Sequence, residues 1–316
     1  MPMRHEIRPL EATPAELDGL SERLIVSHYV NNYGGAVRRL NALAAELAQL
    51  DFATAPGFVI NGLKREELMA ANSALLHEVY FDSLGGSGAP TGEIARALER
   101  DFGSVERWRA EFTSMGKALA GGSGWVVLCR SRCDGRLINQ WASDHGHSLA
   151  DGAPILALDM YEHAYHIDFG ARAEVYVEAF MRNIDWPAVA HRFEQAAGRV
   201  ATNENATAIT PEELRGEAER IGRDLLLLDV RRRQAHGADT EMIRGAEWRE
   251  PESVERWADS LPKDRPVVVY CVYGHNVSQD VTLALRARGV DARHLAGGIT
   301  AWRALAGPTK PRIASE

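Results

Sequence analysis

Apolar residues recur at helical spacing through most of the first half of the chain. Between Pro14 and Leu50 they lie three or four positions apart, which predicts a helix. The pair Gly34 and Gly35 interrupts this pattern. Because glycine costs a helix interior about 1 kcal/mol relative to alanine, we expect a kink or a break there. The same spacing predicts three further helices, at 64–84, 91–102 and 104–119.

The pattern then changes to short apolar runs that are typical of strands. These runs predict three strands, at 124–129, 136–141 and 154–159. Asp134 and Gly135 form a pair that is typical of a hairpin turn between the first two. Helical spacing returns over 171–197. The first part of the chain is therefore predicted to be a helical hairpin (1–89) followed by an α+β part (90–198).

The second part of the chain alternates strand and helix patterns. Residues 199–207 are polar and aperiodic, and we interpret them as a linker. After them, apolar runs at 225–229 and 266–271 each lead into a loop and a helical pattern, which indicates a parallel α/β sheet over 208–316. The predicted fold class is multidomain, with an α-helical hairpin plus α+β domain before an α/β domain.

Composition excludes several classes of function. The 316 residues carry a net charge of −8, and an acidic chain is unsuited to non-specific nucleic-acid binding. No run of about 18 apolar residues predicts a membrane span, and no signal pattern opens the chain, so we expect a cytoplasmic protein. Three cysteines are too few for a disulfide framework.

Four residues from distant parts of the chain are candidate metal ligands. Asp159 ends an apolar strand, and His163 follows four residues later. His28 and His77 lie on the apolar sides of two predicted helices. Three neutral imidazoles and a carboxylate suit Fe, Mn or Zn. Taken singly, a histidine on an apolar helix face is more often a hydrogen-bonded core residue than a ligand, and the spacing alone leaves both interpretations open.

Four segments of the chain resemble iron/manganese superoxide dismutases. They are SHYVNNYGGAVRRLN, GGSGWVVL, PILALDMYEHAYHIDF and RAEVYVEAFMRNIDWPAVAHRF, within residues 10–198. The resemblance implies that the four candidate ligands hold one Fe or Mn ion per subunit, with Fe favoured, and that superoxide is the substrate. It also implies that Glu162 reaches across a dimer interface to a partner's metal ligand, in a homodimer or homotetramer.

The same resemblance assigns the surroundings of the metal. His145 would be the outer-sphere catalytic residue, with Tyr33, Tyr161, Tyr165 and Trp125 nearby. The chain departs from the family pattern at several of the surrounding positions, namely Asn32, Ala36, Ser73, Phe81, Val127 and Tyr161. These departures motivate an alternative: a metal-binding or sensory module without dismutation, or another Fe or Mn oxidoreductase, joined to a regulatory domain.

Cys271 is the candidate nucleophile of the second part of the chain. It follows the run VVVY and precedes a helix predicted near Ser278, and a helix N-terminus favours an anion such as a thiolate. An inert buried cysteine would fit the same position. Cys129 and Cys133 lack the spacing of a redox pair or a zinc site, so we interpret them as a buried residue and a turn thiol.

Three further segments resemble rhodanese domains. They are LLLDVRRRQAHGADTEMIRGA, VVVYCVYGHNVSQDVTLALRARGV and HLAGGITAW, within residues 208–306. The resemblance implies that Cys271 takes up a sulfur atom as a persulfide and passes it to an acceptor thiol or cyanide. The loop that holds it would comprise Tyr273, Gly274, His275 and Asn276, and Asp229 and Arg231 would be structural.

The loop differs from related cysteine loops at three positions. Val272 stands where rhodanese domains often carry Arg, and Asn276 where they often carry Arg or Thr. Val277 stands where a cysteine phosphatase would carry its phosphate-binding Arg. The sequence as a whole favours a bifunctional enzyme, a superoxide dismutase joined to a sulfurtransferase, with a shared role in oxidative stress.

Overall fold

A computed structural model of the chain describes residues 4–197, 207–221 and 224–312. Residues 12–197 belong to one compact unit, and residues 5–11 belong with 207–312 to a second. The sequence division assigned residues 5–11 to the first domain, whereas the structure groups them with the second. Apart from Thr207, the predicted linker at 199–207 lies outside the described residues.

The first unit opens with a long helical hairpin. Its helices are α1 (Glu22–Ser27), a π-helical stretch (His28–Tyr33), α2 (Gly34–Leu47) and α3 (Gly57–Phe81). The remaining helices of this unit are α4 (Gly92–Phe102), α5 (Val105–Ala118), α6 (His166–Phe169), α7 (Ala173–Arg182) and α8 (Trp186–Ala196).

The helical backbone does not break at the glycine pair. Gly34 has φ −58° and ψ −37°, so the chain passes through it in ordinary right-handed helix. The irregularity lies one turn earlier, where the helix widens to π geometry from His28 to Tyr33. Such π-helical turns are frequent at functional sites, and this one begins at a candidate metal ligand.

A three-stranded antiparallel sheet completes the first unit. Its strands are β1 (Trp125–Ser131), β2 (Leu137–Ala142) and β3 (Gly152–Asp159), in the order β2-β1-β3. Gly135 has φ +73°, which fits the predicted turn between β1 and β2. Trp125 pairs with Asp159 across the sheet, and β3 packs on α3. The end of β3 therefore lies beside the helix that carries His77.

The second unit is built on a five-stranded parallel sheet. Its strands are β4 (Ala208–Ile209), β5 (Leu226–Asp229), β7 (Glu247–Trp248), β8 (Val267–Tyr270) and β9 (Ala292–Leu295), in the order β4-β9-β8-β5-β7. A separate antiparallel pair joins β6 (Glu241–Ile243) to β10 (Thr309–Pro311). The helices are α9 (Pro211–Ile221), α10 (Arg233–Ala238), α11 (Val254–Trp257), α12 (Asn276–Arg286) and α13 (Gly298–Ala304).

Strand β8 is buried on both faces of this sheet. Val268 and Tyr270 pack into one apolar core, whereas Val269 and Cys271 pack into the core on the other face. This alternation follows from the two-residue period of a strand, and burial on both faces is typical of a parallel sheet. The predicted strands and the parallel α/β architecture are confirmed. In the part of the chain that the structure describes, no helix combines the length and apolarity needed to cross a bilayer.

Candidate metal centre and cysteine loop

The four predicted metal ligands meet at one point in the first unit. His28 begins the π-helical stretch, His77 lies in the last turns of α3, and Asp159 ends β3. His163 lies in a short 3-10 turn just after β3. The ligand atoms of the four residues lie within 4.8 Å of one another. Three of the side chains are buried, whereas that of His163 is 27% exposed. Solvent therefore reaches the four ligands from the side of His163.

Asp159 is the centre of this arrangement. Its Oδ2 lies 3.1 Å from Nε2 of His28, 3.4 Å from Nε2 of His77 and 3.2 Å from Nε2 of His163. Its Oδ1 accepts the backbone N–H of Tyr161 at 2.8 Å. Burial raises the pKa of the Asp159 carboxyl, but the charge and hydrogen bonds of His163 and His28 outweigh it and hold that pKa well below its usual range. The carboxylate is therefore ionised.

The ring of His77 is oriented as a metal ligand would be. Its Nδ1 donates to the backbone carbonyl of Ser73 at 2.6 Å. Its Nε2 is buried and has no hydrogen-bond partner among the described residues, although it faces Asp159. Burial first, and the nearby charge of His28 second, lower the pKa of His77 to about 3. A neutral imidazole whose buried nitrogen lacks a hydrogen-bond partner can bind a cation through that nitrogen. Metal-binding histidines usually donate their other ring N–H to a carbonyl or carboxylate, which fixes the tautomer.

His145 lies beside this centre, as the resemblance implied. Its Nδ1 lies 3.0 Å from Nε1 of Trp125, which is a donor only, so Nδ1 accepts and the neutral ring carries its proton on Nε2. The ring stacks on Tyr161, with centroids 4.8 Å apart, and lies 6.2 Å from the ring of His77. Trp125 thereby determines the tautomer of His145.

A cavity of about 370 Å³ leads to the centre. His77, His145 and His163 line it together with residues of the helical hairpin, namely Asn31, Asn32, Gly35, Ala36, Arg39, Arg65, Glu66, Met69, Ala70 and Ser73. Ala36 and Asn32, two positions where the chain departs from the family pattern, are both part of this lining. Arg39 and Arg65 both pair with the single carboxylate of Glu66. Two positive charges against one negative charge leave the lining with a net positive charge.

The other predicted residues lie around the centre in different ways. Tyr33 donates from its hydroxyl to Glu78 at 3.0 Å, and its ring centroid lies 6.4 Å from that of His77. Tyr165 is buried and stacks on Tyr176. Glu162 is exposed in the single chain. The interface role implied for Glu162 remains a prediction.

Sequence reasoning missed two supports of the centre. One is the Ser73 carbonyl that holds His77, which no side-chain motif could reveal. The other is Tyr176 on α7, whose hydroxyl donates to the backbone carbonyl of Asp159 at 2.8 Å and lies 3.4 Å from the hydroxyl of Tyr80. Both tyrosines are fully buried, and their place in an apolar helical pattern indicates only core packing.

The predicted cysteine loop runs from the end of β8 to the start of α12. Cys271 is 7% exposed. Its Sγ accepts the backbone N–H of Gly274 at 3.2 Å and lies 3.2 Å from Oγ of Ser278. Gly274 has φ +79°, and a Cβ there would lie 2.6 Å from backbone atoms of Leu295 and Gly297, so the tight turn requires glycine.

The other predicted loop residues lie in different surroundings. His275 occupies the N-cap position of α12, and its side chain donates from Nε2 to the backbone carbonyl of Leu10. The ring of Tyr273 lies 6.4 Å from that of His275, and Asn276 is exposed at the first position of α12. These positions were predictable from the sequence, whereas the contact of Ser278 with the sulfur was not.

Asp229 and Arg231, for which a structural role was predicted, form a buried ion pair. Arg231 donates from Nη2 to Oδ2 of Asp229 at 2.6 Å and from Nη1 to Asp239 at 2.6 Å. The hydroxyl of Tyr270 donates to the same carboxylate oxygen of Asp229 at 3.0 Å. The pair thus ties the end of β5 to β8 and to the chain before β6.

Comparisons with known proteins agree with both resemblances. The family model for iron/manganese superoxide dismutases, C-terminal domain, matches residues 90–192, and that for the rhodanese-like domain matches residues 210–305. A superoxide dismutase [Fe] of Cupriavidus metallidurans is 67% identical over 194 residues, which cover 61% of this chain and 98% of that protein.

More distant relatives carry either metal in their names. A superoxide dismutase [Fe] of Aquifex aeolicus is 32% identical over 61% of this chain and 93% of its own length. A superoxide dismutase [Mn] 1 of Halobacterium salinarum is 32% identical over 62% of this chain and 98% of its own length. The chain belongs to the iron/manganese superoxide dismutase family and carries a rhodanese-like domain after its family region.

Proposed function

We propose that the first unit converts two superoxide ions and two protons into O2 and H2O2, with an Fe or Mn ion held by His28, His77, Asp159 and His163. The observation that carries this proposal is the buried Nε2 of His77, which faces the Asp159 carboxylate and has no hydrogen-bond partner among the described residues. The 67% identity to a relative named superoxide dismutase [Fe] supports the activity and favours iron over manganese.

The ligand set suits a cation that changes its charge by one. A bound Fe or Mn ion supplies a centre that alternates between the 3+ and 2+ states, taking an electron from one superoxide and giving one to the next. Three neutral imidazoles and one carboxylate contribute a single negative charge. The protein therefore leaves most of the ion's positive charge in place, and that charge attracts an anionic substrate.

The residues beside the centre provide hydrogen bonding and access. The Nε2–H of neutral His145 is a donor for an oxygen atom in the cavity, and Trp125 keeps the proton on that nitrogen. Arg39 and Arg65 give the cavity lining a net positive charge, which draws small anions inward. We further propose a homodimer through Glu162, which is exposed on the turn that also carries His163.

Metal content and superoxide turnover measured on one sample test this proposal. His77→Ala removes a ligand and should lose most of the bound metal and turnover. His191→Ala, which removes an exposed histidine of α8 that bonds only locally to Gln195, is the matched control and should keep both. Full turnover in His77→Ala would refute the assignment. Stoichiometric Fe or Mn without dismutation would favour the alternative, a metal-binding or sensory module.

We also propose that Cys271 carries sulfur in the second unit. The thiolate attacks the outer sulfur of a donor such as thiosulfate, a new S–S bond forms, and sulfite leaves with the electrons of the broken bond. An acceptor thiol or cyanide then takes the sulfur. The Gly274 N–H on Sγ and the position of Cys271 below the N-terminus of α12 support this role, since both stabilise negative charge on sulfur.

Mass spectrometry of the intact protein after exposure to thiosulfate tests sulfur transfer. Wild-type protein should gain one sulfur atom that cyanide removes, and Cys271→Ser should not. Cys133→Ser removes the exposed thiol instead and should gain the sulfur as the wild type does. A reduced, unmodified Cys271 after this treatment would refute the sulfur-carrying role with this donor.

A further inference from the structure

The residue that contacts the Cys271 sulfur from α12 is Ser278. Its side chain is fully buried, and its Oγ lies 3.2 Å from Sγ. The same Oγ lies 3.2 Å from the backbone carbonyl of His275 and can donate to it. One buried hydroxyl therefore has two acceptors at the same distance, and it can exchange them by rotating about its Cβ–Oγ bond alone.

The protonation state of the sulfur decides which acceptor the hydroxyl uses. When Cys271 is a thiol, the S–H group can donate to Oγ and the serine hydroxyl donates to the His275 carbonyl. When Cys271 is a thiolate, the sulfur carries a full negative charge and is the stronger acceptor. A hydrogen bond to a charged group is roughly twice as strong as one between neutral groups.

The need for such a donor follows from the composition of the loop. Val272 occupies the position where rhodanese domains often carry Arg, Asn276 the one where they often carry Arg or Thr, and neither side chain is a cation. The side chain of His275 donates to the Leu10 carbonyl and not to the sulfur. Negative charge on Sγ therefore depends on neutral donors, of which the Gly274 amide and the Ser278 hydroxyl are in place.

We propose that Ser278 is a catalytic residue for sulfur transfer at Cys271. Its hydroxyl donates a hydrogen bond to the thiolate before attack and to the His275 carbonyl afterwards. This inference rests on the proposed sulfur-carrying role of Cys271. During attack on thiosulfate the negative charge moves from Sγ to the outer sulfur, while sulfite departs with the bonding electrons. The hydroxyl then loses its charged acceptor, and the neutral carbonyl of His275 is at the right distance to replace it.

The pH dependence of Cys271 alkylation tests the donor without any sulfur substrate. The rate of carbamidomethylation is measured by mass spectrometry of the Cys271 peptide in the full chain, with exposed Cys133 as internal reference. The midpoint is the pH at which this rate reaches half of its maximum. Ser278→Ala should raise the midpoint by about one to two pH units, because a hydrogen-bond donor to the thiolate is lost. Alanine favours a helix, so this variant is expected to fold.

Two further variants separate the hydrogen bond from packing. Ser278→Thr keeps a hydroxyl and should keep the midpoint near that of the wild type. Thr282→Val removes a fully buried hydroxyl one turn further along α12, where no partner is present among the described residues, and should also leave the midpoint unchanged. None of the three variants changes a titratable side chain. Those on the neighbouring elements therefore stay intact, among them His275, exposed Asp280, Arg286, Arg293, His294, Asp229 and Arg231.

The possible outcomes separate a failure of the donor role of Ser278 from a failure of sulfur transfer at Cys271. An unchanged midpoint in Ser278→Ala, or an equal shift in Ser278→Thr or Thr282→Val, would overturn the role of Ser278. A shifted midpoint in Ser278→Ala together with no sulfur uptake by the wild type would leave the donor in place and refute only sulfur transfer. With both intact, the rate of sulfur uptake at fixed pH should fall in Ser278→Ala and recover in Ser278→Thr.

Discussion

The backbone carbonyl of Leu10 accepts a hydrogen bond from Nε2 of His275, although 265 positions separate the two residues. Leu10 and Ile7 are both buried in the second unit, and the Ile7 N–H donates to Oε1 of Glu212 at 3.0 Å. Pro9 packs on Gly297, where an added Cβ would lie 3.0 Å from it. The segment His5–Glu11 is thus an integral part of the second unit and contacts the loop that carries Cys271.

We expect Leu10→Ala to destabilise the second unit by about 2–4 kcal/mol, because it deletes a large buried side chain. Urea titration with pulsed alkylation of Cys271 measures the unfolding of this unit specifically. Glu11→Ala, at an exposed neighbouring position, is the control and should change the free energy of unfolding by less than about 0.5 kcal/mol. Equal stability of Leu10→Ala and wild type would show that the segment does not contribute to the fold.

Cys129 should make the first unit sensitive to alkaline pH. Burial raises the pKa of its thiol from 9.0 to about 12. The unfolded chain therefore ionises above pH 9 while the folded chain keeps the proton, so stability falls as pH rises from about 9 to 12, by about 1.4 kcal/mol per unit. Cys129→Ala should show a shallower decline in urea titrations between pH 8.5 and 10.5. Parallel declines in the two proteins would contradict the role of this thiol.

Trp125→Phe should reduce superoxide turnover while keeping the metal. The substitution removes the N–H that holds His145 in one tautomer, and loss of such an outer partner typically costs about 10–100-fold in activity. Steady-state dismutation and elemental analysis of the same preparation measure the two quantities. Trp141→Phe alters a tryptophan that is 53% exposed and should retain full turnover. If Trp125→Phe lost the metal as well, its role would be structural.

Arg231→Lys should destabilise the second unit despite keeping the charge. Lysine cannot reproduce the paired contacts of the guanidinium with Asp229, nor reach Asp239 and the Glu241 carbonyl at the same time. Breaking a buried pair costs about 3–5 kcal/mol, measured here as a loss of unfolding free energy in urea. Arg233→Lys changes an exposed arginine two residues later and serves as the comparison.

The helices and strands of this chain were largely predictable from local patterns. The apolar run of β8, the turn at Gly135 and the helical runs of the first unit each follow from patterns within a few residues. The exceptions are where local rules compete with packing. Gly34 stays helical despite the intrinsic cost of glycine in a helix, and the helix widens instead between His28 and Tyr33.

The sequence by itself determined which residues could bind a metal or carry sulfur, because imidazole, carboxylate and thiol chemistry belongs to residue type. Only the tertiary structure decided that three histidines contact one carboxylate oxygen. It alone decided that the Ser73 carbonyl binds Nδ1 of His77 and leaves Nε2 available, and that Ser278 contacts the Cys271 sulfur. It also decided that Leu10 belongs to the second unit. These relationships depend on backbone carbonyls and on contacts between distant segments, and neither leaves a pattern of residue types along the chain.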